Sequence, residues 1–247
     1  MVHEDNSCGG SIPPLGTNLK SVLTKKTFKI MCVICIKKKG IKFPSVEIVN
    51  NMCDNNPHGF SMVISDGRKA KIIKTLNQKK FIDSYRKTLK HYDYRESAMF
   101  IHARIKTHGS ERLENCHGWR ENGLIFAHNG ILSITNRGDM TDSETFFRDI
   151  FSPAYKVGGW KLGERTIEAI IETSKFVFMD DRGNIRHYGN YIEDEGILYS
   201  NTSYLGYRLP APARRYSYVD EDWWNRSMTQ SEIDEWNQAL RCEDLYY

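Results

Sequence analysis

Short apolar runs rich in β-branched and aromatic residues recur along the chain up to position 206. Such runs, bounded by polar or glycine-containing turns, are typical of β-strands. Asp66-Gly67 and the segment 180–184 each separate two consecutive runs with turn residues, so each predicts a β-hairpin. The runs that predict strands lie at 33–36, 60–64, 71–73, 98–105, 124–132, 175–179, 185–188 and 196–201.

Helical periodicity occurs between these runs. Residues 79–90 place four apolar side chains at helical spacing, which predicts an amphipathic helix. A Thr-x-x-Glu capping box that begins at Thr141 predicts the start of another helix, and a further one is predicted over 163–173. Strands grouped in antiparallel runs with helices between them favour an α+β layered fold over a doubly wound parallel sheet.

Composition and charge narrow the class of protein. The chain has 247 residues, of which 40% are hydrophobic and 27% are charged, as in ordinary globular proteins. Its net charge of +4 is spread among interspersed acids and bases, so it does not indicate a nucleic-acid partner. The six cysteines have no disulfide-scaffold spacing, and neither a signal peptide nor a membrane-spanning stretch is recognisable. We therefore expect reduced thiols and a cytoplasmic protein.

Three regions differ in character along the chain. Residues 1–31 have no periodicity, and we interpret them as a leader, a propeptide or a mis-assigned start. Residues 32–206 contain all the predicted strands and form the expected domain. Residues 207–247 are rich in proline, arginine, tyrosine and tryptophan, which predicts a tail with a short helix.

Cys32 stands directly after Met31, at the start of the first apolar run. If the working chain begins there, one residue carries a thiol nucleophile and an α-amine that titrates at about pH 8 and can accept the thiol proton. If Cys32 is internal, it is a small hydrophobe in a strand. Cys32 and Cys35 also have a Cys-x-x-Cys spacing, but strand residues three apart lie on opposite faces, so we expect Cys35 to be a core residue.

Five segments carry a resemblance to a known family, in the family's order. They are 31–34 (MCVI), 56–60 (NPHGF), 102–109 (HARIKTHG), 128–131 (HNGI) and 142–144 (DSE). Together they resemble the class II (N-terminal nucleophile, Ntn) glutamine amidotransferases, and most of all the short single-domain members met in phage and bacterial genomes. The resemblance implies a four-layer αββα Ntn-hydrolase fold with two packed antiparallel sheets.

The same resemblance implies a set of catalytic residues. Cys32 would attack the side-chain amide of glutamine, with its own α-amine handling the proton. The side-chain amide of Asn129 and the backbone N–H of Gly130 would hold the oxyanion, and one such donor typically lowers the barrier by ~3 kcal/mol. Ammonia would leave, and water would hydrolyse the γ-glutamyl thioester.

Four further residues would bind the substrate. Arg104 would hold the α-carboxylate of glutamine through a planar two-donor fork that lysine does not offer. Asp142 would pair with the α-ammonium group, and Thr107 and His108 would line the carboxylate end. The chain departs from the family in its extension of residues 1–31, which would have to be absent for Cys32 to have a free amine.

Three of these assignments have purely structural alternatives. Arg104 in an apolar strand can pair with an internal acid instead of a ligand. Asn129-Gly130 is a strong type I′ turn signal, and it predicts a strand, a tight turn and a second strand over 124–132. Asp142 can cap the helix that begins beside it.

A metal site is a further alternative at the sequence level. The residues available to it have no recognised metal-ligand spacing, and they are His102, His108, His117, His128 and Cys116. We therefore expect neither a metal nor a cofactor.

The sequence thus predicts a glutaminase-type enzyme with L-glutamine as substrate. A separate synthetase-like protein would receive the ammonia, with no membrane or nucleic-acid partner. Two alternatives remain open: a catalytically inactive binding protein of the same fold with Cys32 internal, and an N-terminal-nucleophile amidase that acts on another amide. The latter is disfavoured by Arg104 and Asp142, which suit a free amino acid.

Overall fold

A computed structural model describes residues 32–106 and 112–206. The strands formed by the described residues are β1 (Val33–Lys37), β2 (Phe60–Ser65), β3 (Lys71–Thr75), β4 (Ala98–Ala103), β5 (Trp119–Glu121), β6 (Leu124–Asn129), β7 (Lys175–Asp180), β8 (Ile185–Tyr188), β9 (Ile192–Asp194) and β10 (Ile197–Tyr199). The α-helices are α1 (Val46–Asn55), α2 (Gln78–His91), α3 (Asp142–Thr145) and α4 (Ser152–Glu168), and a 3₁₀ turn (Leu113–Asn115) and a π-helical turn (Phe146–Phe151) are also present. The predicted leader over 1–31 and the predicted tail helix in 207–247 lie outside the described residues.

The strands form two antiparallel sheets. The first has the order β3-β2-β4-β1-β10-β9, and the second has the order β5-β6-β7-β8. Strand β1 is central in the first sheet, where it pairs with β4 on one side and β10 on the other. In the second sheet β6 pairs with β5 and β7. The residues before β1 and after β4 and β10 therefore lie close together at one end of these neighbouring strands, which forms one edge of the first sheet.

Three apolar layers separate four structural layers. Along β1, Val33 and Cys35 pack in a cluster with α1 and α2, whereas Ile34 and Ile36 pack against the second sheet. The far face of the second sheet is covered by a phenylalanine-rich cluster that includes Phe151 and residues of α4. This helix–sheet–sheet–helix arrangement confirms the predicted α+β fold with two packed antiparallel sheets, and Cys35 is a core residue as predicted.

Most of the predicted local elements are present. Strands β2 and β3 form the hairpin around Asp66-Gly67, and β7 and β8 form the hairpin around 180–184. Helix α2 spans the predicted 79–90 segment with one extra residue at each end. At the capping box, the Thr141 hydroxyl accepts a hydrogen bond from the Glu144 N–H (3.2 Å), as the Thr-x-x-Glu pattern predicts.

The predicted strand, turn and second strand over 124–132 is wrong in its second half. Strand β6 ends at Asn129, and Gly130 to Leu132 form no strand. A type I′ turn needs positive φ at both central residues, but among the described non-glycine residues only Asn122, Glu172 and Glu195 have it. The apolar residues after Gly130 misled the prediction, because β6 finds both partners elsewhere in the chain.

The predicted helix over 163–173 is also wrong in its bounds. Helix α4 begins at Ser152 and ends at Glu168. The helix continues without a break from a π-helical turn over Phe146–Phe151, which itself follows α3. Gly158 and Gly159 leave helical geometry inside the element, which interrupts the apolar periodicity and hides its first half from pattern recognition.

Candidate active site

Cys32 lies immediately before β1 and is partly buried. Its Sγ lies 3.6 Å from the carbonyl oxygen of Ile105, and its own carbonyl accepts a 2.8 Å hydrogen bond from Asn201 Nδ2. Burial raises the pKa of the Cys32 thiol, the charge of Arg104 lowers it, and the charge of Asp142 raises it further. The net shift is upward, so the thiol is protonated at neutral pH and needs a base to attack a substrate.

Arg104 follows β4 and is only 5% exposed. Its backbone N–H donates to the Gly59 carbonyl (2.8 Å), and its carbonyl accepts from the His58 N–H (2.9 Å). Gly59 has a φ of +144°, and a Cβ there would lie 2.7 Å from Cys116 Sγ, so glycine is required at this close approach. The 56–60 segment of the resemblance thus fixes the backbone that carries Arg104, beside Cys32.

Asn129 ends β6 and is almost completely buried. Its Nδ2 donates to the hydroxyl of Ser200 (2.8 Å), and that hydroxyl also accepts the N–H of Ile34 (2.8 Å). Asn129 Oδ1 is buried and has no hydrogen-bond partner within the described part of the chain. The second sheet therefore presents its asparagine to the edge of the first sheet at which Cys32 lies.

Gly130 has a φ of +152°, in the region that favours glycine. A Cβ at this position would overlap the Ser174 hydroxyl and would lie 2.8 Å from His128 Nε2. The close packing of both side chains therefore requires glycine directly after Asn129. Glycine is thus needed here because of its positive φ and the close contacts of Ser174 and His128, and not because of the type I′ turn that the sequence pattern predicts.

Asp142 is the first residue of α3 and not its cap, which is Thr141. The helix-cap alternative for Asp142 is therefore wrong. Its Oδ2 accepts the Leu132 N–H (2.8 Å), and its Oδ1 accepts the Ser143 N–H (2.7 Å). The Ser143 hydroxyl also donates to Oδ1 (3.1 Å), so it is Oδ2, which accepts one bond from the described residues, that keeps an acceptor position for a substrate ammonium group.

Three buried histidines, which the resemblance did not assign, stack beside this region. The ring centroids of His102 and His117 are 3.8 Å apart, and those of His117 and His128 are 6.4 Å apart, with nearly parallel planes. His117 Nδ1 accepts the His128 N–H (3.1 Å), and His128 Nδ1 lies 2.7 Å from the Ser143 hydroxyl. Burial lowers the pKa of all three, that of His128 to about 4, so all are neutral at pH 7.

The structure gathers four of the predicted residues. Cys32 feels the charges of Arg104 and Asp142, and the consecutive residues 200–201 contact both Cys32 and Asn129. Gathered here are a thiol, a cation, an anion and an amide, which together suit attack on an amide of a zwitterionic amino acid. No such role was predicted from the sequence for Ser200 or Asn201, whose contacts join segments far apart in the chain.

Thr107 and His108, the two other predicted substrate-binding residues, lie outside the described residues, so their assignment stays a prediction. Within the described ranges, no group of three or more histidine, cysteine, aspartate or glutamate side chains is arranged to hold a metal ion. In the same part of the chain, no helix is both long and apolar enough to cross a membrane.

Comparisons with known proteins give structural neighbours alone. No protein-family model and no curated protein sequence matches the chain. One similar solved structure is glutamine phosphoribosylpyrophosphate amidotransferase from B. subtilis complexed with ADP and GMP, with a TM-score of 0.40 and 14% identity. Another is a glutamine aminotransferase class-II domain protein from Silicibacter pomeroyi, with a TM-score of 0.40 and 15% identity.

The shared regions differ in extent between these two neighbours. Each similarity covers 68% of this chain, but it covers 41% of the first neighbour and 86% of the second. Similarity at this level identifies neither a substrate nor a reaction for the present chain. The function must come from the residues of the site.

Proposed function

We propose that this chain is a class II glutamine amidotransferase domain that hydrolyses L-glutamine through Cys32. One observation carries the proposal: the resembling segments, scattered from Cys32 to Asp142 in sequence, bring a thiol, a guanidinium, an amide and a carboxylate to one edge of the two sheets. Charged and nucleophilic groups gathered at one partly buried position are characteristic of functional sites.

In the proposed reaction, Cys32 Sγ bonds to the δ-carbon of glutamine while the α-amine of Cys32 takes the thiol proton. The raised thiol pKa fits a nucleophile that depends on such a base. The amine returns the proton to the leaving nitrogen, and ammonia departs as the C–N bond breaks. Water then cleaves the thioester, which releases glutamate and restores the thiol, so the sum is glutamine plus water to glutamate plus ammonia.

The other groups of the site position the substrate and stabilise the oxyanion. Asn129 and Gly130 donate to the oxyanion, where a single donor typically contributes ~3 kcal/mol to the lowering of the barrier. Arg104 pairs with the α-carboxylate, and Asp142 pairs with the α-ammonium group. The ammonia is proposed to pass to an acceptor bound by a separate synthetase-like protein.

The proposal requires Cys32 to be the first residue. The test expresses the full chain, establishes its N-terminus by intact mass and N-terminal sequencing, and measures ammonia release from L-glutamine on the same sample. A chain started at Met31 is assayed in parallel, because removal of the initiator methionine exposes Cys32. Cys32→Ala is the matched inactive control in both forms.

We expect ammonia release only from chains that begin at Cys32, with complete loss in Cys32→Ala. Activity on asparagine or other amides in preference to glutamine would favour the general amidase alternative. If both forms are folded and neither releases ammonia, the enzyme proposal is wrong, and a binding protein with Cys32 internal takes its place.

A further inference from the structure

Ser200 links both sheets at the candidate site. It follows β10 and is only 4% exposed. Its backbone N–H donates to the Ile34 carbonyl (2.9 Å), and its hydroxyl oxygen accepts the Ile34 N–H (2.8 Å). The same oxygen lies 2.8 Å from Asn129 Nδ2 at the end of β6. One hydroxyl therefore anchors the asparagine of the second sheet to the central strand of the first.

The hydrogen-bonding capacities at this contact restrict the asparagine. A serine hydroxyl has one donor and two acceptor positions, and the Ile34 N–H fills one acceptor position. Ser200 either accepts one amide hydrogen of Asn129 or, if the amide turns over, donates its proton to the buried and unpaired Asn129 Oδ1. In both arrangements the contact fixes the plane of the amide.

A fixed plane matters because oxyanion stabilisation depends on donors that are already oriented when charge develops. Without Ser200, the Asn129 amide has no anchor of this kind in the described residues. The χ2 angle of an asparagine is broadly distributed when nothing restrains it, so the N–H donor would point in several directions. Loss of this orientation would raise the free energy of the transition state, where the oxyanion forms, and would not weaken binding of the neutral substrate amide.

We propose that Ser200 is a positioning residue that orients the side-chain amide of Asn129 for the oxyanion. This inference rests on the proposed glutaminase function, and it adds a residue that none of the resembling segments contains. Ser200 acts through Asn129 and does not itself contact the reacting atoms. Replacing Ser200 with a residue that has no hydroxyl should therefore lower kcat. This effect should disappear when Asn129 is also replaced.

The experiment uses whichever form of the full chain or Met31-initiated chain releases ammonia from glutamine. Wild type, Ser200→Ala, Asn129→Ala and the double variant are compared for kcat, KM and thermal unfolding. Ser97→Ala is the matched control, because Ser97 is buried near the opposite end of β4 and its hydroxyl has no partner among the described residues.

We expect Ser200→Ala to lower kcat about tenfold to a hundredfold with KM changed less than about threefold, because the oxyanion exists only after attack. In the Asn129→Ala background the same substitution should change kcat by less than about twofold, as a double-mutant cycle requires of a residue that acts through another. Ser97→Ala should leave kcat unchanged.

A second pair of variants covers the case in which Ser200→Ala does not fold. Ser200→Thr and Ser200→Val have the same shape and differ in the hydroxyl, so the threonine variant should have the higher kcat by about tenfold or more. Equal kcat in this pair, or a loss in Ser200→Ala that persists in the Asn129→Ala background, would overturn the inference while leaving the glutaminase function intact. An inert wild type in every form overturns both.

Discussion

The side-chain amide of Asn201 donates a 2.8 Å hydrogen bond to the carbonyl oxygen of Cys32, a residue 169 positions earlier in the chain. The bond holds the residue that carries the candidate nucleophile against the turn after β10. Ser200, its immediate neighbour, holds Asn129 through a hydroxyl that accepts a 2.8 Å hydrogen bond from Asn129 Nδ2. The spacing between the nucleophile and the proposed oxyanion donor is thus set by two consecutive residues.

Replacement of Asn201 tests this restraint. Asn201→Ala should lower kcat for glutamine hydrolysis, because Cys32 loses one of the contacts that fix its backbone, and it should lower the free energy of unfolding by about 1 kcal/mol. Asn55→Ala is the matched control, since the Asn55 amide donates to the Ser203 carbonyl in the same turn without contacting Cys32. A loss of kcat of equal size in both variants would show that the turn, and not its bond to Cys32, is what matters.

Arg104→Lys tests the proposed carboxylate site. The substitution keeps the positive charge but removes the planar fork, so KM for glutamine should rise about tenfold to a hundredfold with a smaller change in kcat. Arg120→Lys is the control, because Arg120 pairs with Asp181 and the Ala70 carbonyl in a structural contact. An unchanged KM in Arg104→Lys would remove Arg104 from the substrate site.

The charges around Cys32 predict its reactivity independently of any enzyme activity. The negative charge of Asp142 raises the pKa of the Cys32 thiol, so Asp142→Asn should lower it and speed alkylation by iodoacetamide at about pH 7.5. Arg104→Gln should slow the same reaction. The rate is followed at Cys32 by mass spectrometry, with Asp149→Asn, whose carboxylate pairs with Arg137, as a control that should match wild type.

The histidine stack predicts acid sensitivity. Burial lowers the pKa of His128 to about 4, with Asp142 opposing and Lys175 adding to the shift. An unfolded histidine titrates at about 6.5, so the unfolded state binds more protons below that pH, and stability falls as the pH drops from about 6.5 towards 4. His128 alone should account for a loss of about 3 kcal/mol by pH 4.

Urea unfolding between about pH 7.5 and 4.5 measures the free energy of unfolding as a function of pH. In His128→Gln this free energy should change less with pH, because glutamine keeps a polar group near Ser143 but takes up no proton. The exposed His91 provides the control, and His91→Gln should leave the slope of wild type unchanged. An unaltered slope in His128→Gln would show that acid sensitivity arises elsewhere.

Gly130→Ala tests the steric requirement at the end of β6. The added Cβ meets both the unfavourable φ of +152° and the side chains of Ser174 and His128, so we expect a loss of about 2–5 kcal/mol in unfolding free energy. Gly123→Ala adds a Cβ into open space at a φ of +77°, and it should lose about 1–3 kcal/mol through backbone strain alone. Equal losses would mean that the packing around Gly130 yields without cost.

Local sequence determined the elements whose cause is local. The short apolar, β-branched runs of β2 and β3 and the Asp66-Gly67 turn specify their hairpin, and the Thr-x-x-Glu pattern specifies the start of α3. The order of the resembling segments gave the layered fold and named the residues that meet at the candidate site. The hairpin and the helix start depend on turn chemistry and capping, which act within a few residues, whereas the four-layer arrangement and the site residues are what the resemblance implies.

Only the tertiary structure decided how those residues are held. The apolar pattern after Asn129 is that of a strand, but β6 already has partners on both sides, and Asp142 binds the Leu132 N–H instead. The bonds from residues 200–201 to Asn129 and Cys32 join segments far apart in the chain, so no local propensity encodes them. The sequence, through the resemblance, named the candidate site residues, and the packing of two separate sheets set their neighbours, because such contacts form only when distant strands are brought together.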